Sequence, residues 1–232
     1  MKRILVACEE SQSVTKEFRK LGFEAYSCDL LPCSGGHPEW HIIDDVITVI
    51  NNKPFITSDG KRHIVEKWDL MIAHPPCTFL AVSGARWLYN KDGSPNQERI
   101  NNQNESLEFV QKLMNVDIQH IAIENPISVI SSKIRKPDQI IQPWQFGDKA
   151  QKSTCLWLKN LPLLEHTNIV DKGEFFEWTC PKTGKRKRQA QWYLDALKEA
   201  KTPAERRTLR SKTFKGIAEA IAKQWGEFIL NN

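Results

Sequence analysis

Two places in the chain combine a reactive side chain with a stiff backbone. Cys77 follows two prolines in "IAHPPCTFLAVSG" (72–84), and Glu124 closes the run "HIAIE" (120–124) just before Asn-Pro. Each proline fixes φ and removes a backbone donor, so a thiol held behind two of them loses little freedom when it attacks a substrate. A free thiol with a pKa near ~8.5 is mostly neutral at physiological pH, and neighbouring positive charge raises its thiolate fraction. His74 and Arg86 are the nearby candidates in sequence. A carboxyl ending an apolar strand is expected to be half-buried, with its pKa raised so that it can carry a proton. Alone, Cys77 reads as an inert buried thiol and Glu124 as a turn cap. Together they read as a nucleophile and a proton carrier.

The elements that must position them follow from the apolar spacing. "RILVA" (3–7) is a short strand, and Val14, Phe18 and Leu21 then recur along one helix face up to Gly22. "FEAYSCD" (23–29) alternates as a second strand, and "HIIDDVITVI" (41–50) contains a brief third. "LMIAH" (70–74) and "HIAIE" read as central strands covered on both faces. Residues 83–104 are polar, with "NKDGSPNQ" (90–97) a loop, followed by helical spacing at Leu107, Val110, Leu113 and Met114. "TCLWLKNLP" (154–162) reads as a strand and turn, and Phe214, Ile217, Ala218, Ile221, Trp225 and Phe228 form an amphipathic closing helix.

Alternating strands and helices predict an α/β fold with a doubly wound, mostly parallel sheet. Ligands of such sheets bind beyond the carboxyl ends of the strands. There stand Cys8, Glu9, Glu10 and Ser11, then Asp29, then Asp44 and Asp45, then Pro75, Pro76 and Cys77, and finally Glu124, Asn125 and Pro126. An acidic residue ending the second strand can accept both hydroxyls of a ribose, and Asp44 or Asp45 can accept from an adenine amino group. The chain has neither G-x-G-x-x-G nor G-x-x-x-x-G-K-[ST]. An adenosine cofactor without a phosphate cradle, such as S-adenosyl-L-methionine, is compatible with both absences.

The bulk properties set limits. The 232 residues carry a net charge of +5, with basic residues gathered in "PKTGKRKRQ" (181–189) and "KTPAERRTLRSKTFK" (201–215). That permits a polyanionic partner without requiring one. The six cysteines contain no C-x-x-C pair and are expected to be reduced thiols. Cys28, Cys33 and His37 match no zinc spacing, so no metal site is expected. No apolar run approaches the ~18 residues of a membrane span. The opening "MKRILVACEESQ" reads as a first strand and not as an export signal.

"PPC" followed by "IENP" resembles the Pro-Cys and Glu-Asn signatures of DNA cytosine-C5 methyltransferases, most closely the short phage- and prophage-type members. "ACEESQSV", "SCDLLP", "HPPCTFLAVSGARW", "QPWQFGD", "STCLWLKNLP" and "SKTFKGIAEAIAKQWG" carry the likeness in the family's order. The resemblance implies a Rossmann-like, class I methyltransferase fold and methyl transfer from S-adenosyl-L-methionine to carbon 5 of cytosine. Cys77 would add to carbon 6, and Glu124 would hold or protonate N3. Cys8, Glu9 and Ser11 would wrap the methionine part, Asp29 with Leu30 would hold the ribose, Asp45 the adenine, and Pro75 would line the pocket.

The resemblance further implies a catalytic unit of 1–162 and 209–232 with a small recognition region at 163–208. The expected partner is double-stranded DNA, bound by a monomer in the cytoplasm of a bacterial cell, with no membrane contact. The nucleic-acid candidates are Arg86, Lys149, Lys152, Lys185, Arg186, Arg188 and Trp192. Two departures stand out: Glu-Ser-Gln-Ser replaces the usual glycines of the first motif, and no Gln-x-Arg-x-Arg element is evident. They keep other readings open: a catalytically weak DNA- or nucleotide-binding protein, or methylation of a free nucleotide, an RNA base or an exocyclic amino group.

Overall fold

A computed structural model describes residues 1–51 and 54–232. Its centre is a seven-stranded sheet. The strands in chain order are β1 (Arg3–Ala7), β2 (Glu24–Asp29), β3 (His41–Ile43), β4 (Phe55–Ile56), β5 (Arg62–His63), β6 (Leu70–Ala73), β7 (His120–Pro126), β8 (Gln139–Ile141), β9 (Thr154–Lys159), β10 (Phe175–Thr179) and β11 (Arg186–Ala190). The sheet order is β3-β2-β1-β6-β7-β9-β8. β3, β2, β1, β6 and β7 are mutually parallel, and β9 is antiparallel to both of its neighbours. The chain winds outward from β1 to β3 and then crosses back to β6, so the switch point falls between β1 and β6. The fold is thus α/β, mostly parallel and Rossmann-like, with an antiparallel strand inserted near one edge.

The apolar runs become central strands because both faces are covered. Leu5, Ala7, Met71, Ala73, Ile121 and Ile123 face one core layer, with α2 (Val46–Ile50) and α3 (Gln97–Met114). Ile4, Val6, Leu70, Ile72 and Ala122 face the other, with α1 (Ser13–Lys20) and the closing helix. Alternate residues serve alternate layers, as strand geometry requires. A single turn, α4 (Ile130–Lys133), follows β7.

Three elements go beyond the sequence reading. "VITVI" is helix α2 despite its β-branched residues, because Asp45 caps it by accepting from the Ile47 amide at 2.7 Å. Helix α3 begins at Gln97, the last residue read as loop and well before the helical spacing at Leu107; the Asn96 side chain caps it by accepting from the Arg99 amide, and its first turns are solvated. The closing helix is interrupted: α7 (Lys215–Ala220) passes through a π turn at Ile221–Trp225 into α8 (Gly226–Asn231). The indole of Trp225 donates to the Pro162 carbonyl at 3.0 Å. Gly216 lies against the Phe146 carbonyl, leaving no room for a Cβ.

Outside the central sheet, β10 and β11 form an antiparallel ribbon, followed by α5 (Gln191–Glu199) and α6 (Pro203–Ser211). A cavity of about 500 Å³ lies at the start of β1, lined by Met1, Lys2, Arg3, Glu66, Lys67, Asp69 and Leu230. It is at the wrong end of the strands for a ligand of this fold.

Candidate active site at the carboxyl ends of the strands

The strand register brings two distant segments together. Ala73 pairs with Ile123 and Ala7 with Ala73, so the chain leaves β6 beside the end of β7. The His74 amide donates to the Ala7 carbonyl at 2.9 Å, and the Asn125 side-chain amide donates to the Pro75 carbonyl at 2.8 Å. His74 Nδ1 lies 3.0 Å from Glu124 Oε2, with side chains only 12% and 13% exposed. Cys77, partly buried, opens a tight turn, its carbonyl accepting from the Leu80 and Ala81 amides at 3.1 and 2.9 Å.

The electrostatics of this cluster differ from the expectation for Glu124. Burial alone would raise its pKa, but the hydrogen bond and charge of His74, with Lys152 beyond, hold it below the usual carboxylate value. Burial would lower that of His74, yet Glu124 and the more distant Glu9 raise it above the usual imidazole value. The pair therefore holds its proton on the imidazole. His74 Nε2 is buried and without a hydrogen-bond partner among the described residues, leaving it free for a ligand or water. Burial and the Glu124 charge push the Cys77 thiol up, while Lys152 and Arg210 pull it down. These cations, and not the expected His74 and Arg86, are the ones whose charges act on the thiol. His74 is committed to Glu124, and the Arg86 guanidinium lies over the exposed Trp87 ring at 4.3 Å.

The loop after β1 is built without glycine. Cys8 and Gln12 hold φ of 58° and 56°, a left-handed backbone that costs non-glycine residues about 1–2 kcal/mol. Gln12, fully buried, sustains it. Its amide group donates to the His37 carbonyl at 2.8 Å and to Ser27 Oγ at 3.2 Å, and its oxygen accepts from the His37 amide at 3.1 Å.

Glu9, read from sequence as wrapping the methionine part, is bonded to the start of α1. It is 4% exposed, and its carboxylate accepts from the Val14 amide at 2.6 Å, the Thr15 amide at 3.3 Å and Thr15 Oγ1 at 2.7 Å. The carboxylate thus takes the place at the α1 N-terminus where nucleotide-binding folds hold a phosphate.

The remaining cofactor candidates stand at or just beyond the carboxyl ends of β1, β2 and β6. Burial, then the charges of Asp29 and Asp45, push the Cys8 thiol up to about 12. Asp29 accepts from the Leu31 amide at 2.9 Å, and its pKa is raised by burial, with Glu10 adding to the effect. Leu30 is 72% exposed beside it. Ser11 Oγ lies 3.0 Å from Ser13 Oγ, and Pro75 is buried under the site. Cys28 is taken up structurally, its Sγ 3.3 Å from the Asp44 carbonyl. All six cysteines are free.

The basic candidates separate. Lys152 reaches the site: its Nζ lies 3.3 Å from the Lys212 carbonyl and 5.9 Å from the Phe214 ring centroid, and its charge acts on Cys77, His74 and Glu124. Lys149 is tied to Asp171 at 2.9 Å on the surface. Lys185, Arg186 and Arg188 belong to the exposed ribbon, with Arg186 bonded to Glu177 at 2.7 Å. Trp192, read from sequence as a base-stacking residue, is packed instead. Its indole donates to the Gln151 carbonyl at 2.9 Å, and its ring meets Phe214 edge-on at 5.4 Å.

Sequence reasoning missed the His74–Glu124 bond, the capping role of Glu9, and Arg210, whose guanidinium sits 4.0 Å over the Tyr193 ring. A histidine directly before the prolines was the available signal for the first; nothing local signalled the others. Compared with protein-family models and with curated proteins, the chain matches none.

Proposed function

We propose that this chain is an S-adenosyl-L-methionine-dependent methyltransferase acting on carbon 5 of cytosine in DNA, with Cys77 as its nucleophile. The observation that carries the reading is the convergence of the β6 and β7 ends. There the Asn125–Pro75 bond ties the turn bearing Cys77 to the strand bearing Glu124, whose charge acts on the thiol.

The groups beyond the carboxyl ends of β1 and β2 support this cofactor. Glu9 already fills the α1 N-terminus, so a pyrophosphate finds no cradle there. The charges of Asp29 and Asp45 bear on the Cys8 thiol, and that of Glu10 on Asp29; they repel phosphates and favour a positively charged adenosine derivative. Asp29 would hold the ribose and Asp45 the adenine side, each through carboxylate oxygen beyond what its backbone bond uses. When bound, S-adenosyl-L-methionine supplies an electrophilic methyl group.

The chain's own residues prepare the acceptor. Thiolate addition of Cys77 at carbon 6 would turn carbon 5 into an enamine carbon, a much better nucleophile; once carbon 5 has gained the methyl group, loss of its proton to a base would expel the Cys77 thiolate and restore the ring. Lys152 and Arg210 counter part of the burial and Glu124 charge that keep the thiol's pKa raised. The proton held between His74 and Glu124 would stabilise charge developing at N3. A target base inside a duplex would have to leave the stack to reach Cys77.

The test is incubation with methyl-labelled cofactor and duplex DNA, followed by nucleoside analysis. Label in 5-methylcytosine supports the proposal; label on an exocyclic amino group, or none despite bound cofactor, removes it.

A further inference from the structure

The β10–β11 ribbon carries a surface that the chemistry at Cys77 does not use. Phe176 and Trp178 are 51% and 38% exposed. As alternate residues of one strand they share a face, with ring centroids 5.9 Å apart and planes inclined by 28°. Their partners across the ribbon are Gln189 and Lys187. The opposite face is occupied: Arg188 lies over Phe175 at 4.9 Å, and Arg186 pairs with Glu177. The turn between the strands adds Lys182 and Lys185, both exposed.

A two-stranded ribbon has no core of its own in which to bury two aromatic rings, and exposed aromatics set among charges mark a contact surface. The surrounding lysines and arginines select a polyanion. Flat rings with flanking cations match a nucleic-acid strand whose bases are unstacked; an ordinary protein interface would be depleted in lysine.

We propose that Phe176 and Trp178 form a stacking platform for unpaired bases, with Lys187 contacting the adjoining phosphates. This rests on the reading above only in taking nucleic acid as the substrate. Extruding one base from a duplex leaves neighbouring bases unstacked, and the platform would receive them.

The test is equilibrium binding of labelled oligonucleotides, single-stranded, fully paired and centrally mismatched, over a range of salt concentrations. Thermal melting checks that each variant is folded. The double variant Phe176→Ala, Trp178→Ala should bind single-stranded and mismatched DNA roughly 5- to 100-fold more weakly, with an unchanged salt slope, while Phe176→Tyr with Trp178→Phe keeps affinity. Lys187→Ala should lower the slope of log K against log salt by about 0.7–0.9.

Unchanged affinity in the folded double alanine variant, or a change confined to its oligomeric state, overturns the proposal. The two readings fail separately. A wild-type protein that loses unpaired-strand binding on removal of the rings but methylates nothing keeps the platform and removes the methyl transfer. Methylation with the same KM for DNA in wild type and double variant does the reverse.

Discussion

His74 Nδ1 and Glu124 Oε2 lie 3.0 Å apart at the ends of two adjacent parallel strands. The register that joins Leu70–Ala73 to His120–Ile123 makes this contact between residues 50 positions apart in sequence. In the proposed reaction the pair is the proton store: the imidazole holds the proton and the carboxylate orients it.

Replacing His74 by Asn should change the pH profile as well as the rate. In the wild type the pair loses its proton as pH rises through the raised value of His74, above 6.5, so the rise in rate that ionisation of the Cys77 thiol brings should level off at that limb. In His74→Asn, burial of Glu124 is opposed only by Lys152 and the Thr154 hydroxyl among these groups, so its pKa rises above its present lowered value and the carboxyl becomes the group that carries the proton. Its reference value of 4.5 lies below the 6.5 of imidazole, so the limb should move to lower pH. The rate at pH 8 should fall about 10- to 100-fold, within the range of general acid–base effects. Rate profiles between pH 5 and 9 check this; a uniform loss with an unmoved limb would leave His74 a structural role only.

The same pair makes stability depend on pH in a defined direction. The raised pKa of His74 contributes stability that is full below 6.5 and lost as pH rises through its folded value. The lowered pKa of Glu124 contributes stability that is full above 4.5 and lost as pH falls through its folded value. The pair should therefore stabilise most between about 4.5 and 6.5. Denaturant midpoints for wild type and for the double variant His74→Asn, Glu124→Gln should differ most in that window and converge on either side.

Asp29 and Glu9 should separate in a cofactor-binding titration. Asp29→Ala removes a charged acceptor at the crevice and should weaken S-adenosyl-L-methionine roughly 10- to 100-fold, the loss expected for a hydrogen bond to a charged group. Glu9→Gln keeps a capping oxygen at the α1 N-terminus and touches no ligand, so affinity should change less than about 3-fold while stability drops by about 1 kcal/mol. The reverse order of sensitivities, read by calorimetry, would return Glu9 to the ligand.

Gly216→Ala tests how the closing helix meets the rest of the fold. The added methyl would overlap the Phe146 carbonyl, and the Gly216 amide bond to Asp148 at 2.8 Å fixes that approach. Overpacking of this kind costs about 1–3 kcal/mol, or some 2–10 °C in melting temperature. An unchanged melting temperature would mean that the helix moves freely away from Phe146.

Much of the central sheet is legible from sequence because β1, β6 and β7 are short apolar runs buried on both faces. Cys77 and Glu124 could be named for the same reason, since each directly follows such a run. What was not legible depends on contacts between distant segments. Gln12 is not a residue type that signals a left-handed turn, and only its bonds to Ser27 and His37 sustain one. Glu9 looked like a ligand-facing acid because its capping targets, Val14 and Thr15, become visible only when the chain turns back. Trp192 is a related case: aromatic content is evident in sequence, but that its ring is packed is decided by Gln151 and Phe214.

The most direct measurement uses DNA carrying 5-fluorocytosine at the target base, incubated with the protein and S-adenosyl-L-methionine and analysed by mass spectrometry after denaturation. Fluorine on carbon 5 cannot be removed as a proton is, so the thiol addition should be trapped. The account predicts a methylated nucleotide covalently attached to the peptide containing Cys77 and absent from Cys77→Ser. Methylated DNA formed with no attachment at Cys77 would contradict it.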